Sequence, residues 1–271
     1  MPAPNKRVTT LDLLAWKREG RKIVALTAYD ALFARLVDEA GVDVVLVGDS
    51  VNTVLAGQPT TLSATVEQMI YHARMVRAGV ERALLVVDMP FMSYQVSIEE
   101  AKRNVGRVMQ ASGAHGVKLE GGAQVAETVR AIVDIGVPVM GHVGFTPQSV
   151  HALGGARVQG RGAGAADRVL ADARALEQAG AFSVVLELMP NDVAAKVTEA
   201  VAIPTIGIGS GARCDGQVLV LHDMLGLNDR FQAKFVKAYA TLADDVRRAV
   251  ETFGTEVRNG TYPDAGHSFE Q

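Results

Sequence analysis

A single cysteine, Cys214, stands among the 271 residues, which excludes an internal disulfide and argues against a cysteine-built zinc site. Basic charge is also lacking. The formal net charge is -3, and no cluster of Lys and Arg forms a footprint for nucleic acid or an anionic membrane surface. No apolar run approaches the roughly 18 residues that a membrane span needs. The stretch 1–20 has no long apolar core of a secretion signal, so the expected compartment is the cytoplasm. Aromatic residues are scarce at 5%, yet a hydrophobic fraction of 48% is enough to bury a sizeable core. No low-complexity segment, short repeat or composition shift divides the chain, and the expectation is one domain over 1–271. Small-molecule chemistry is the function class these absences leave.

The chain is organised around residues 44–50, where Val44, Val45, Leu46, Val47 and Gly48 end in Asp49 and Ser50. A short β-branched run of this kind predicts a strand buried on both faces, as in parallel sheets. The pattern recurs at 83–88, where the strand itself is predicted at 84–88 and ends in Asp88, at 116–120, ending in Glu120, and at 182–187, ending in Glu187. In a parallel barrel the carboxyl ends of all strands share one rim, so acids far apart in sequence can meet over one pocket.

Further strands are predicted at 23–27, 138–142, 205–208 and 217–221, with helices at 31–40, 65–77, 98–111, 124–135 and 166–179. About eight strands alternating with helices predict a TIM (β/α)8 barrel. Thr9 or Thr10 is placed to cap a short helix through Leu11, Leu14 and Trp16, ended at Gly20, whose apolar side would cover one end of the barrel. The polar stretch 52–65 is too long for an ordinary turn and is expected to act as a lid; 144–164 is a second long loop, rich in glycine. Phe231, Phe235, Tyr239, Leu242, Val246, Val250, Phe253 and Val257 recur at steps of three and four, predicting a long C-terminal helix. Its apolar stripe would pack on its own barrel or on a neighbouring subunit.

Asp49 and Asp88 each have a plain alternative as helix caps. Together with Glu120 they form a carboxylate set suited to a hard cation, and Mg2+ keeps waters and takes one or two protein carboxylates directly, so Glu120 is expected to act through water. Lys118 and Glu120 lie two apart and leave one face of a strand. Lys118 is thus a structural ion-pair partner, an anchor for a substrate carboxylate or enolate oxygen, or a Schiff-base amine. Glu187 sits in the apolar frame Val184, Val185, Leu186, Leu188, Met189, which suits a general base for a weakly acidic C–H; a salt bridge across the rim is the alternative. His142 is a further acid/base or substrate-contact candidate. The loop Gly207-Ile208-Gly209-Ser210-Gly211 has the look of a phosphate-binding turn, although glycine there also serves close packing.

Several strings occur in one order: VGDS at Val47, MIYHARMVRAG at Met69, DMPFMSY at Asp88, GVKLEGG at Gly116, GHVGFTPQSV at Gly141, VLELMP at Val185, GIGSGARCDGQVLVLHDMLG at Gly207, FVKAY at Phe235 and HSF at His267. By them the chain resembles the ketopantoate hydroxymethyltransferase family from its first strand to its tail. The resemblance implies a TIM barrel of the phosphoenolpyruvate/pyruvate superfamily and transfer of a hydroxymethyl group from 5,10-methylenetetrahydrofolate to 3-methyl-2-oxobutanoate in pantothenate biosynthesis, through a Mg2+-stabilised enolate. Carried over by position, it implies Asp49, Asp88 and Glu120 as metal ligands. Asp49, Ser50, Asp88 and Lys118 become oxo-acid contacts, Glu187 the proton acceptor, and the assembly a decamer built from dimers. Two local departures are Val51-Asn52-Thr53, where a stretch richer in glycine and methionine is expected, and Ser210 in place of a small alanine. The rivals are a sister lyase or mutase of the superfamily and a catalytically inert barrel kept for assembly or ligand binding.

Overall fold

The computed structural model describes residues 6–162, 164–229 and 233–269. The chain divides into two compact units, Met1–Val220 and Leu221–Gln271. In the first, eight parallel strands close into a barrel in sequence order: β1 Ile23–Thr27, β2 Val44–Val47, β3 Leu84–Asp88, β4 Gly116–Lys118, β5 Val139–Gly144, β6 Ser183–Glu187, β7 Thr205–Ile208 and β8 Gly216–Leu219. Parallel pairing runs unbroken from β1 round to β8, which pairs back onto β1. The predicted TIM barrel is present.

The helices start where the sequence supplies caps. Thr9 and Asp12 form a reciprocal capping box on α1 (Thr10–Glu19), and Gly20 ends that helix in the left-handed conformation. Asp30 caps α2 (Ala31–Glu39). After the short α3 (Val51–Val54), Thr65 and Gln68 box α4 (Val66–Gly79), and Ser97 caps α5 (Ile98–Ser112). Then come α6 (Ala126–Asp134), α7 (Ala165–Gln178) and α8 (Asn191–Ala200). The last of these completes the β6–β7 crossover, for which the sequence reading supplied no helix. The presumed lid loop instead opens with α3, and Asn52 pins it by donating from Nδ2 to the Thr60 carbonyl at 2.8 Å and to Ser63 Oγ at 2.9 Å.

The core of the barrel is aliphatic. Val8 and Leu13 join Ile23, Ala25, Val44, Leu84, Val86, Ile206 and Val218 in one buried cluster, with Trp16 packed against it. Most of these strand residues lie in the first halves of their strands, so α1 closes the amino-terminal mouth, as its position in the sequence suggests. Lys17 locks the closure through Asp215 at 2.7 Å and the Thr198 carbonyl at 2.9 Å. With that end plugged, only the carboxyl-terminal rim is left to work.

The second unit holds α9 (Leu221–Met224) and α10 (Leu242–Asn259). The sequence stripe overran the helix: Phe231 lies outside the described residues, and Phe235 and Tyr239 belong to irregular chain. The helix begins at Leu242 because Asp244 and Asp245 complement its first turn, while the Tyr239 amide donates to the Met224 carbonyl at 2.8 Å. Val246, Val250, Phe253 and Val257 on α10 are 47–63% exposed. Among the described residues no helix is long and apolar enough to cross a membrane.

Candidate active site

The strand-tip acids converge. Asp88 ends β3, and in the parallel register it stands opposite Lys118, the last residue of β4. Lys118 Nζ lies 2.7 Å from Asp88 Oδ1 and 3.7 Å from Glu120 Oε1, two residues beyond β4. Asp49 arrives two residues after β2, and its backbone N–H donates to Asp88 Oδ2 at 3.0 Å. Gly48 leaves room for Ser50, since a Cβ there would meet Ser50 Oγ at 2.7 Å. Ser50 shares a hydrogen bond of 2.7 Å with the phenol of Tyr29, which is itself buried.

His142, inside β5, ties this group to the far side of the rim. Its Nδ1 is 3.5 Å from Glu120 Oε1 and its Nε2 is 3.1 Å from Glu187 Oε2 at the end of β6. The imidazole is thus held between the two carboxylates. Gly144, at a φ of +94°, lets the end of β5 close on β6, since a Cβ would meet the Glu187 carbonyl at 2.3 Å. Leu188 takes a left-handed φ of 47° and turns the chain directly after Glu187. Its amide donates to the Ile208 carbonyl at 3.0 Å and its carbonyl accepts from the Gln159 amide at 2.7 Å. The turn therefore anchors the acid's backbone on both sides.

Asp49, Asp88, Lys118, Glu120 and His142 are each no more than 5% exposed, while the Glu187 side chain is 13% exposed and faces the opening. Buried charge at this density shifts ionisation. Burial, then the neighbouring Asp88 and Glu120, raise Asp49 to about 8. Burial works against Lys118 too, but Asp88, Glu120 and Asp49 hold its ammonium well above the usual lysine range. For His142, burial and Lys118 oppose the charge, and the contacts with Glu120 and Glu187 override them, raising it to about 9. Glu120 is held below the usual carboxylate range despite burial, through His142, Lys118 and the Gln148 amide.

One consequence is measurable. Asp49 has a folded value above its unfolded one, so between roughly pH 4 and 8 the native state binds the extra proton, and stability falls as pH rises through that window. In chelator, urea midpoints should drop from pH 6 to pH 8.5, and Asp49→Asn should shrink the drop to the part that the raised His142 contributes in the same direction. An unchanged slope in the variant contradicts the assignment.

The donors suit a hard cation. Asp49, Asp88 and Glu120 offer only carboxylate oxygens, and burial followed by the charges of Asp88 and Glu120 raises Asp49. Among the described residues no group of three His, Cys, Asp or Glu side chains stands as a ready cage. An ion that takes one or two protein carboxylates and keeps its waters, as Mg2+ does, would need no such cage. The Gly207 turn looks different from the expected anion cradle: Ser210 is buried and donates to the Leu186 carbonyl at 2.6 Å. Sequence reasoning missed Tyr94 and Gln148, which lie in the long loops after β3 and β5 and reach the acids by hydrogen bonds.

A closed (β/α)8 barrel with acids, a lysine and a histidine gathered at the carboxyl-terminal rim has the architecture of a TIM-barrel enzyme. Solved structures agree on the fold. The chain matches a phosphonopyruvate hydrolase complexed with oxalate and Mg++ at a TM-score of 0.63 and 13% identity, covering 95% of this chain and 92% of that one. It matches 2,3-dimethylmalate lyase, a PEP mutase/isocitrate lyase superfamily member, at 0.59 and 15%, covering 97% and 92%. The chain belongs to the ketopantoate hydroxymethyltransferase family, whose model matches residues 7–265. It is 53% identical over 264 residues to the 3-methyl-2-oxobutanoate hydroxymethyltransferase of Syntrophus aciditrophicus, covering 97% of each. It is 54% identical to that of Pelobacter propionicus, covering 97% of this chain and 98% of the relative.

Proposed function

We propose that the chain moves a hydroxymethyl group from 5,10-methylenetetrahydrofolate to 3-methyl-2-oxobutanoate, giving ketopantoate and tetrahydrofolate with one water consumed, for pantothenate synthesis. The observation that carries this is the ion network from Asp88 through Lys118, Glu120 and His142 to Glu187, joined by the backbone N–H of Asp49, in a chain of this family. Asp49 and Asp88 would hold Mg2+, with Glu120 beside them through water. Bound there, the cation supplies Lewis acidity to the keto and carboxylate oxygens of the oxo acid.

The residues do the rest. Lys118 and Ser50 stand where an anionic substrate oxygen needs donors, and Lys118 also steadies Asp88. Glu187, the acid nearest the opening, takes the proton from C3. His142 bridges Glu187 and Glu120 and keeps the carboxylate of the base aimed into the site. The carbanionic C3 then forms the new C–C bond with the donated carbon as one of its bonds to the folate nitrogens breaks; the other is replaced by the oxygen of water, and the C3 proton and one proton of that water end on the two freed nitrogens. The lysine amine is committed to Asp88 at 2.7 Å, which disfavours a Schiff base. Exposure of Val246, Val250, Phe253 and Val257 supports a homo-oligomer, for which a decamer is the family expectation, and the absence of a long apolar helix among the described residues is consistent with work in the cytoplasm.

Purified protein given both substrates should form ketopantoate only when folate is present, and excess chelator should stop it. Turnover that ignores chelator would remove the cation; none under any condition would remove the activity.

A further inference from the structure

Gln148 is buried at 5% exposure, in the short 3-10 turn Pro147–Ser149 after β5. Its Nε2 donates to Asp49 Oδ2 at 3.0 Å and to the Met89 carbonyl at 2.9 Å, using both amide hydrogens. Its Oε1 accepts from the Tyr94 hydroxyl at 2.8 Å and from Gln95 Nε2 at 3.2 Å. Its backbone N–H donates to Glu120 Oε2 at 2.9 Å. Tyr94, also buried, accepts from the Glu120 amide at 3.1 Å and lies 3.0 Å from the Glu120 carbonyl.

We infer that Gln148, fixed by Tyr94, is the positioning residue that sets the orientation of Asp49 and Glu120 and so joins the β2, β3 and β4 tips into one preformed cation-binding face. Asp49, the Met89 carbonyl and Glu120 belong to three different strand ends, and this one side chain and its own amide reach all three. One oxygen of each acid is tied back, Oδ2 of Asp49 and Oε2 of Glu120. The other oxygen of Glu120 is thereby left facing Lys118 and His142. The amide is fully used, and the Met89 carbonyl sets its orientation: a flipped amide would turn its oxygen on that carbonyl, which has no hydrogen to give. Tyr94 fits that orientation, because its hydroxyl stands 2.8 Å from Gln148 Oε1 and gives its one hydrogen there or to the Glu120 carbonyl. Neither residue touches the space near Glu187, so the role is to aim ligands and not to move a proton.

This inference rests on the cation reading of the acids, and the test separates the two. Mn2+ is titrated into the whole, substrate-free protein by electron paramagnetic resonance, with thermal unfolding recorded alongside. Wild type should bind, Gln148→Met should fold and bind about 10- to 100-fold more weakly, as removal of outer-shell partners does, and Tyr94→Phe should weaken binding by a smaller factor in the same direction. Folded Gln148→Met with wild-type affinity would overturn the inference while leaving the cation reading intact. Should Gln148→Met not fold, Tyr94→Phe decides: unchanged affinity overturns the inference, and weakened affinity in a folded protein supports it. Wild type that binds no Mn2+ would overturn the cation reading and this inference with it.

Discussion

Glu187→Gln should cut exchange of the C3 hydrogen of 3-methyl-2-oxobutanoate with solvent by about a hundred- to ten-thousand-fold, the range a positioned general base contributes. The substitution keeps length and shape and removes only the basic oxygen. The amide oxygen can still meet His142, now 3.1 Å from the carboxylate, so the rim should hold its form. Binding of the oxo acid, which depends on the Asp49–Asp88–Lys118 side, should change little. Exchange measured by NMR in deuterated buffer reports the proton step without requiring folate, and binding measured separately by calorimetry shows that the site is intact. Exchange at the wild-type rate would remove Glu187 from the base role and leave it the salt bridge that its sequence context also allowed.

The second large effect is on stability. Lys118→Met replaces a buried ammonium by an apolar chain of similar length and leaves Asp88, Asp49 and Glu120 without the cation at their centre. Removing one partner of a buried ion pair costs about 3–5 kcal/mol, because the remaining charge is stranded. The sign with pH follows from the raised position of Lys118: its contribution is fully present below the ordinary lysine range and fades only as pH rises through its elevated folded value. At neutral pH the loss should therefore be complete. Urea unfolding of the cation-free variant should give that loss, and Mg2+ should recover part of it by binding the stranded acids. A difference below about 1 kcal/mol, in the range of a surface pair, would mean that Lys118 is far less coupled to the acids than its 2.7 Å contact implies.

The parts that were legible in the sequence share a cause. Strands at 23–27, 84–88 and 205–208 match β1, β3 and β7 residue for residue because buried parallel strands consist of little besides β-branched and aliphatic residues. The acids at their tips stood out as breaks in those runs, and a closed parallel barrel then has only one rim to bring them to. The rest failed where the signal is not periodic. Gln148 and Tyr94 sit in loops, and nothing in local composition marks a loop amide as the partner of an acid 99 residues away. The start of α10 was misplaced because Phe235 and Tyr239 continue the apolar spacing by coincidence, whereas the first-turn pair Asp244 and Asp245 carried the true boundary. His142 looked like an ordinary strand histidine until β5 placed it between Glu120 and Glu187.

The measurement closest to the central claim is wild-type C3 exchange of 3-methyl-2-oxobutanoate in deuterated buffer, without folate, in Mg2+ and again in excess chelator. The converged acids predict rapid deuterium incorporation with Mg2+ and a return to the solvent rate once it is sequestered. Incorporation that persists in chelator, or that never exceeds the solvent rate with Mg2+ present, would contradict the account.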